Sequence, residues 1–136
     1  METPKKVAII HREPALIRTL DGVFELLGYS APAMLVHGRT TPYEVASFVR
    51  SVGPDLVLIS ESFEATKGGE GLEAAVEIKK ESQNLPIGLV SGNPKYRERA
   101  RELGIVGYLP MPGDMGDRDI LEVYDQFLKQ ILQPQS

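Results

Sequence analysis

Short apolar runs alternate with stretches of helical period along the whole chain, and this alternation limits the fold more than any other feature. "KVAII", Lys6–Ile10, is a buried-strand candidate. Behind it Leu16, Leu20, Val23, Phe24 and Leu27 recur at helical spacing, and Gly28 stops the helix. "APAMLV" is the second strand. Pro32 places it at or near a sheet edge, because proline donates nothing to a ladder. Thr41, Pro42, Tyr43 and Glu44 have capping-box spacing, with proline at the first helical position. Val45, Phe48, Val49 and Val52 then form one apolar stripe.

"DLVLIS" is the third strand, apolar as a strand covered on both faces must be. A polar, glycine-rich stretch, roughly Glu61 to Glu70, reads as a flexible loop before a helix carrying Leu72, Ala75, Val76 and Ile78. "PIGLVS" is the fourth strand. Asn93-Pro94 opens a charged helix that buries little beyond Tyr96, Ala100 and Leu103. "VGYLP" is the fifth strand. Asp117 is placed to cap a last helix whose inner face is Ile120, Leu121, Tyr124, Phe127, Leu128 and Ile131. Strands and helices in strict alternation predict an α/β fold: a parallel sheet, helices on both faces and right-handed crossovers. Residues 1–136 read as a single domain with its core at about 5–131.

Composition narrows the function classes. The chain is 42% hydrophobic and 25% charged, enough for a core and ordinary for a soluble domain. A net charge of −4 argues against nucleic acid or an anionic membrane as the main partner. Lys95, Arg97, Arg99 and Arg101 are interleaved with Glu98 and Glu102, the pattern of a solvated helix face. With no cysteine, thiol catalysis and thiolate metal sites are excluded. No apolar run approaches the ~20 residues that span a bilayer, so a cytoplasmic location is expected.

In sheets of this kind ligands bind outside the carboxyl ends of the strands, where the strand order reverses. The residues that follow the strands are therefore the site candidates. They are His11, Arg12 and Glu13; Ser60; Ser91 and Gly92; and Pro110, Met111 and Pro112. "TKGGEG" is not a phosphate-binding P-loop, since it lacks the lysine and hydroxyl at the required spacing.

Several segments, in order and at compatible spacing, resemble one family. They are "LLGYS", "PDLVLIS", "EGLEAAVEIK", "LPIGLVSGN" and "ELGIVGYLPMP". Over about residues 5–131 the chain resembles a response-regulator receiver domain. The resemblance implies a flavodoxin-like (βα)5 fold with strand order 2-1-3-4-5. It also implies a role in bacterial two-component signalling or a phosphorelay.

The family's chemistry is not matched. Two acidic residues that help hold a divalent metal correspond to His11 and Arg12. The phosphate-accepting aspartate corresponds to Ser60 and the phosphate-binding lysine to Met111. The hydroxyl of the fourth strand is kept as Ser91 and the aromatic before the lysine position as Tyr108. The loop after Ser60 is a few residues longer than the family's. Magnesium prefers carboxylate oxygens, and a guanidinium stays charged at any relevant pH. A serine hydroxyl without an adjacent base is a poor nucleophile. The expectation is a degenerate receiver, a pseudo-receiver, that is not switched by aspartyl phosphorylation and binds neither metal nor cofactor.

Two readings of Arg12 stay open. It replaces the metal's positive charge structurally, or it joins Ser60 and Ser91 in a small anion site that would make the domain a metabolite sensor. Ser60 as a nucleophile with His11 as base lacks both a nucleophile elbow and an orienting acid, so an enzyme is not expected. His37 reads as a lone exposed histidine. Tyr108 reads either as an interface aromatic or as ordinarily half-buried. The expected partner is a protein. The resemblance places contact, including a homodimer, on the face of the fourth helix, fifth strand and fifth helix, where this chain offers Tyr96 and Tyr108.

Overall fold

The most apolar strand of the sequence lies at the centre of the sheet. It is β3 (Leu56–Ser60), buried at every position. The computed structural model describes residues 5–64, 68–91, 93–110 and 117–132. Around β3 the elements are β1 (Val7–His11), α1 (Pro14–Leu27), β2 (Ala33–Leu35), α2 (Pro42–Val52), α3 (Glu70–Glu81) and β4 (Ile87–Val90). A 3-10 turn (Pro94–Tyr96) leads into α4 (Arg97–Glu102), followed by β5 (Gly107–Leu109) and α5 (Asp117–Leu132). The sheet is parallel in every pair, in the order β2-β1-β3-β4-β5.

The two faces of the sheet follow from side-chain alternation. Val7 and Ile9, with Leu56, Leu58, Val90 and Leu109, pack on α1 and α5. Ala8 and Ile10, with Val57, Ile59, Ile87 and Leu89, pack on α2, α3 and α4. Each fully buried Leu, Ile or Phe contributes about 1.5–3 kcal/mol by leaving water. Gly88 and Gly107 are register partners on adjacent strands. With no Cβ, they leave a slot that the Phe127 ring fills. A Cβ at Gly88 would lie 3.1 Å from Phe127 Cζ, and one at Gly107 would lie 3.0 Å from Phe127 Cδ1.

Local signals in the sequence set the helix ends. Gly28 closes α1 in the left-handed region at φ 89°, and Tyr29 N–H returns to the Phe24 carbonyl. Thr41 forms the full capping box with Glu44. Pro32 precedes β2, which is an edge strand, as expected. Some boundaries move. His11 belongs to β1 rather than following it, because its carbonyl accepts from Val36 N–H at 3.0 Å and the ladder with β2 continues. α5 is described from Asp117 on, and the residues ahead of it, on which the capping expectation bears, lie outside the described residues. The fourth helix opens as a 3-10 turn, with the Asn93 side chain accepting from Lys95 N–H at 3.0 Å.

Candidate functional site

The strand order reverses between β1 and β3, and a cleft of about 230 Å3 opens beyond the carboxyl ends of the neighbouring strands. It is lined by Arg12, Ser60, Glu61, Ser62, Ser91 and Asn93, with Val90. Arg12, Ser60 and Ser91, taken from three separate strand ends, are therefore brought together. His11 and Tyr108 do not line the cleft. Met111 and Gly92 lie outside the described residues.

One local device is repeated at the strand ends. Ser60 Oγ donates to the Ser62 carbonyl at 2.7 Å, and Ser62 N–H points back to it at 3.4 Å. Ser91 Oγ accepts from Asn93 N–H at 3.0 Å. His11 Nδ1 accepts from Glu13 N–H at 3.1 Å, and His37 Nδ1 accepts from Arg39 N–H at 3.1 Å. In each case a polar side chain satisfies the backbone two residues on, as side-chain turns do. The hydroxyls of Ser60 and Ser91 are thus engaged with their own loops.

The electrostatics are mixed. Arg12 is half-buried, and its Nη1 lies 3.7 Å from Glu13 Oε1. The Glu61 carboxyl is held above the usual range, chiefly by burial. The Gly69 N–H, 3.4 Å from Glu61 Oε2, opposes this, Glu70 reinforces it, and Arg12 and Lys95 oppose it. His11 is buried at 1% exposure, and burial, aided by the Arg12 charge, lowers its pKa to about 4. The ring is therefore neutral at pH 7. Its Nδ1 is an acceptor, so Nε2 carries the proton, and Nε2 has no hydrogen-bond partner. Among the described residues no three His, Asp or Glu side chains converge as a metal-binding group.

Glu61 and Asn93 are site residues that the sequence reading placed in a loop and at a helix start, not in the site. The rule that found Ser60 reaches Glu61 one residue further on. The described part of this loop is tied down by several contacts, and residues 65–67 lie outside the described residues. Phe63 is buried, its N–H donates to Glu70 Oε2 at 3.0 Å, and Ser62 Oγ donates to the Glu64 carbonyl.

Tyr96 and Tyr108 are both half-buried, on different grooves. Tyr96 shares one with Leu72 and Leu103, and Tyr108 shares the other with Arg97 and Val106. The Tyr108 hydroxyl donates to the Asn93 carbonyl, and the Arg97 guanidinium lies 5.1 Å from its ring centroid. His37 is exposed, as expected.

No family model matches the chain, and no curated protein matches it. Solved structures do. Chemotaxis protein CheY4 of Vibrio cholerae is similar at a TM-score of 0.74 and 14% identity, covering 96% of this chain and 100% of that one. A CheY-like receiver domain protein from Methanospirillum hungatei has a TM-score of 0.72 at 18% identity, covering 94% and 96%. The response regulator TrrA of Thermotoga maritima, solved with Mg2+ and BeF, has a TM-score of 0.73 at 22% identity, covering 94% and 99%. With the strand order and the layering, these likenesses show that the chain has the fold of the CheY-like response-regulator receiver domains.

Proposed function

We propose that this protein is a pseudo-receiver, a receiver-like signalling module that works through protein–protein contact without aspartyl phosphorylation. The observation that carries this is the end of β3. Ser60 stands there 3% exposed, with its hydroxyl donated to a carbonyl two residues away. Phosphoryl transfer to this position needs an ionised nucleophile, an oxygen-ligated cation and a counter-charge for the phosphoryl oxygens. The cleft offers an engaged hydroxyl, a guanidinium and a single carboxylate, Glu61, while Met111, at the family's lysine position, lies outside the described residues. Nor is Ser60 activated as in a hydrolase. Its hydroxyl does not donate to His11, whose acceptor nitrogen takes Glu13 N–H. We therefore read the module as non-enzymatic, and propose a cytoplasmic location for it.

Its partner on this reading is a protein, met on the α4–β5–α5 face, which also serves a homodimer. Mixed charge there, with Arg97 and Arg101 beside Glu98 and Glu102, favours specificity over raw affinity. The test is incubation with a small phosphodonor and magnesium, followed by intact mass. An unchanged mass is expected. A gain of one phosphoryl group overturns the proposal.

A second reading, an anion or metabolite sensor, has one observation in its favour: Arg12, Ser60 and Ser91 do meet in a single cleft. Against it stand Glu61, an acid in the same cleft, and the engaged hydroxyls. A sensor gains thermal stability with its ligand, because a ligand that binds only the folded state stabilises it by mass action. Inorganic phosphate that raises the melting temperature, with the rise lost in Arg12→Gln, would favour this reading.

A further inference from the structure

Residues 68–71 carry three glycines, and the structure gives a reason for each. A Cβ at Gly71 would lie 2.9 Å from Glu61 Cα and from the Ser60 carbonyl carbon, so this backbone runs directly against the end of β3. Gly69 occupies the left-handed region at φ 90°, and its N–H donates to the Glu61 carbonyl at 2.9 Å. A Cβ at Gly68 would lie 2.8 Å from Tyr96 Cζ, collide with the Tyr96 hydroxyl and come within 3.1 Å of Glu61 Oε2. Gly68 thus lies against both Tyr96 and the Glu61 carboxylate, which lines the strand-end cleft.

Tyr96 belongs to the 3-10 turn that opens α4. Its ring also lines a groove of about 300 Å3 between α3 and α4, together with Gly69, Leu72, Val76 and Leu103. The same turn is tied to the strand ends. Asn93 takes Lys95 N–H on its side chain, gives its own N–H to Ser91 Oγ, and receives the Tyr108 hydroxyl on its carbonyl. A single aromatic ring therefore sits where the cleft, the β3–α3 loop and α4 meet, and the glycine opposite it leaves no side chain to keep the surfaces apart.

We propose that Tyr96 is a clamp that joins the β3–α3 loop to α4, so that the strand-end cleft and the α3–α4 groove open and close as one unit. The clamp is a positioning contact, and it does not depend on whether Ser60 is ever modified. A partner that entered the α3–α4 groove would displace the ring, release Gly68 and Gly69, and free the Glu61 carboxylate from the Gly69 N–H. Coupling of this kind requires a shared element that both sites bias, and the Tyr96 ring is that element.

Hydrogen exchange read by mass spectrometry on the full chain tests it, with Tyr96→Ala, Tyr96→Phe and Gly68→Ala. In Tyr96→Ala, exchange at residues 68–72 and at 97–103 rises together by about five-fold, the ratio that corresponds to about 1 kcal/mol of lost local stability. Tyr96→Phe removes the hydroxyl that lies nearest Gly68 and raises exchange in the same two segments by less. In Gly68→Ala the rise crosses the contact and appears in 97–103. Unchanged exchange in α1 shows that the global fold is kept. The proposal is overturned if Tyr96→Ala loosens 97–103 alone, or if Gly68→Ala loosens only its own loop. Should Tyr96→Ala fail to fold, the Gly68→Ala and Tyr96→Phe pair decides by the same criterion.

Discussion

Replacing His11 by Asn separates the cost of its buried imidazole from every other pH effect. The ring is 1% exposed, and its pKa falls from 6.5 to about 4 on folding, through burial first and the Arg12 charge second. Because the folded-state value lies below the unfolded one, the unfolded chain takes up a proton first as the pH falls. The contribution to stability is complete above about pH 6.5, declines between 6.5 and about 4, and levels off below that. A fall from 6.5 to about 4 corresponds to at most about 3 kcal/mol. At about pH 4.5 the folded state has begun to accept the proton, and the loss is about 2 to 3 kcal/mol. Asn keeps an oxygen able to accept Glu13 N–H but does not titrate. Urea unfolding of both proteins from about pH 7.5 to about 4.5 should show the wild type losing that much more than His11→Asn. His37 and the carboxylates are common to both and cancel. Stability curves that run parallel over this range would refute the argument, since the buried ring would then have found a proton acceptor or solvent in the folded state.

Packing and capping give two further expectations. Gly107→Ala pushes a methyl against the Phe127 ring, which already rests on Gly88. Overpacking of this kind costs about 1–3 kcal/mol, visible as a lower melting temperature. Thr41→Ala removes both the hydroxyl that takes Glu44 N–H at 3.1 Å and half of the capping box. It should cost about 1 kcal/mol in chemical denaturation and leave the strand-end cleft unchanged.

The elements were legible because their signals are local. The period of Leu16, Leu20, Val23 and Phe24, the unbroken apolar run of Leu56–Ile59, and the Gly28 stop each act within a few residues. His11 shows the limit. Its place inside β1 depends on Val36, just past the end of β2, donating to its carbonyl. Glu61 shows it again. As a residue of a polar loop it looks solvated, yet the return of Gly69 and Gly71 onto its carbonyl brings it into the cleft. Tyr96 and Tyr108 were legible as aromatics beside a charged helix, but not as residues of two different grooves.

Taken alone, the amino-acid order determined the alternation of strands and helices, the helix caps, and which residue types stand at the strand ends, because these depend on near neighbours and on chemistry that does not change with folding. Only the tertiary structure decided that Arg12, Ser60, Glu61 and Ser91 share one cleft, that the serine hydroxyls are occupied by their own loops, and that Phe127 and Tyr96 rest on glycines from distant segments. The serine contacts span two residues but form on a backbone that the strand ends hold in place, and the others join parts of the chain far apart in sequence, so their geometry exists once the sheet is assembled.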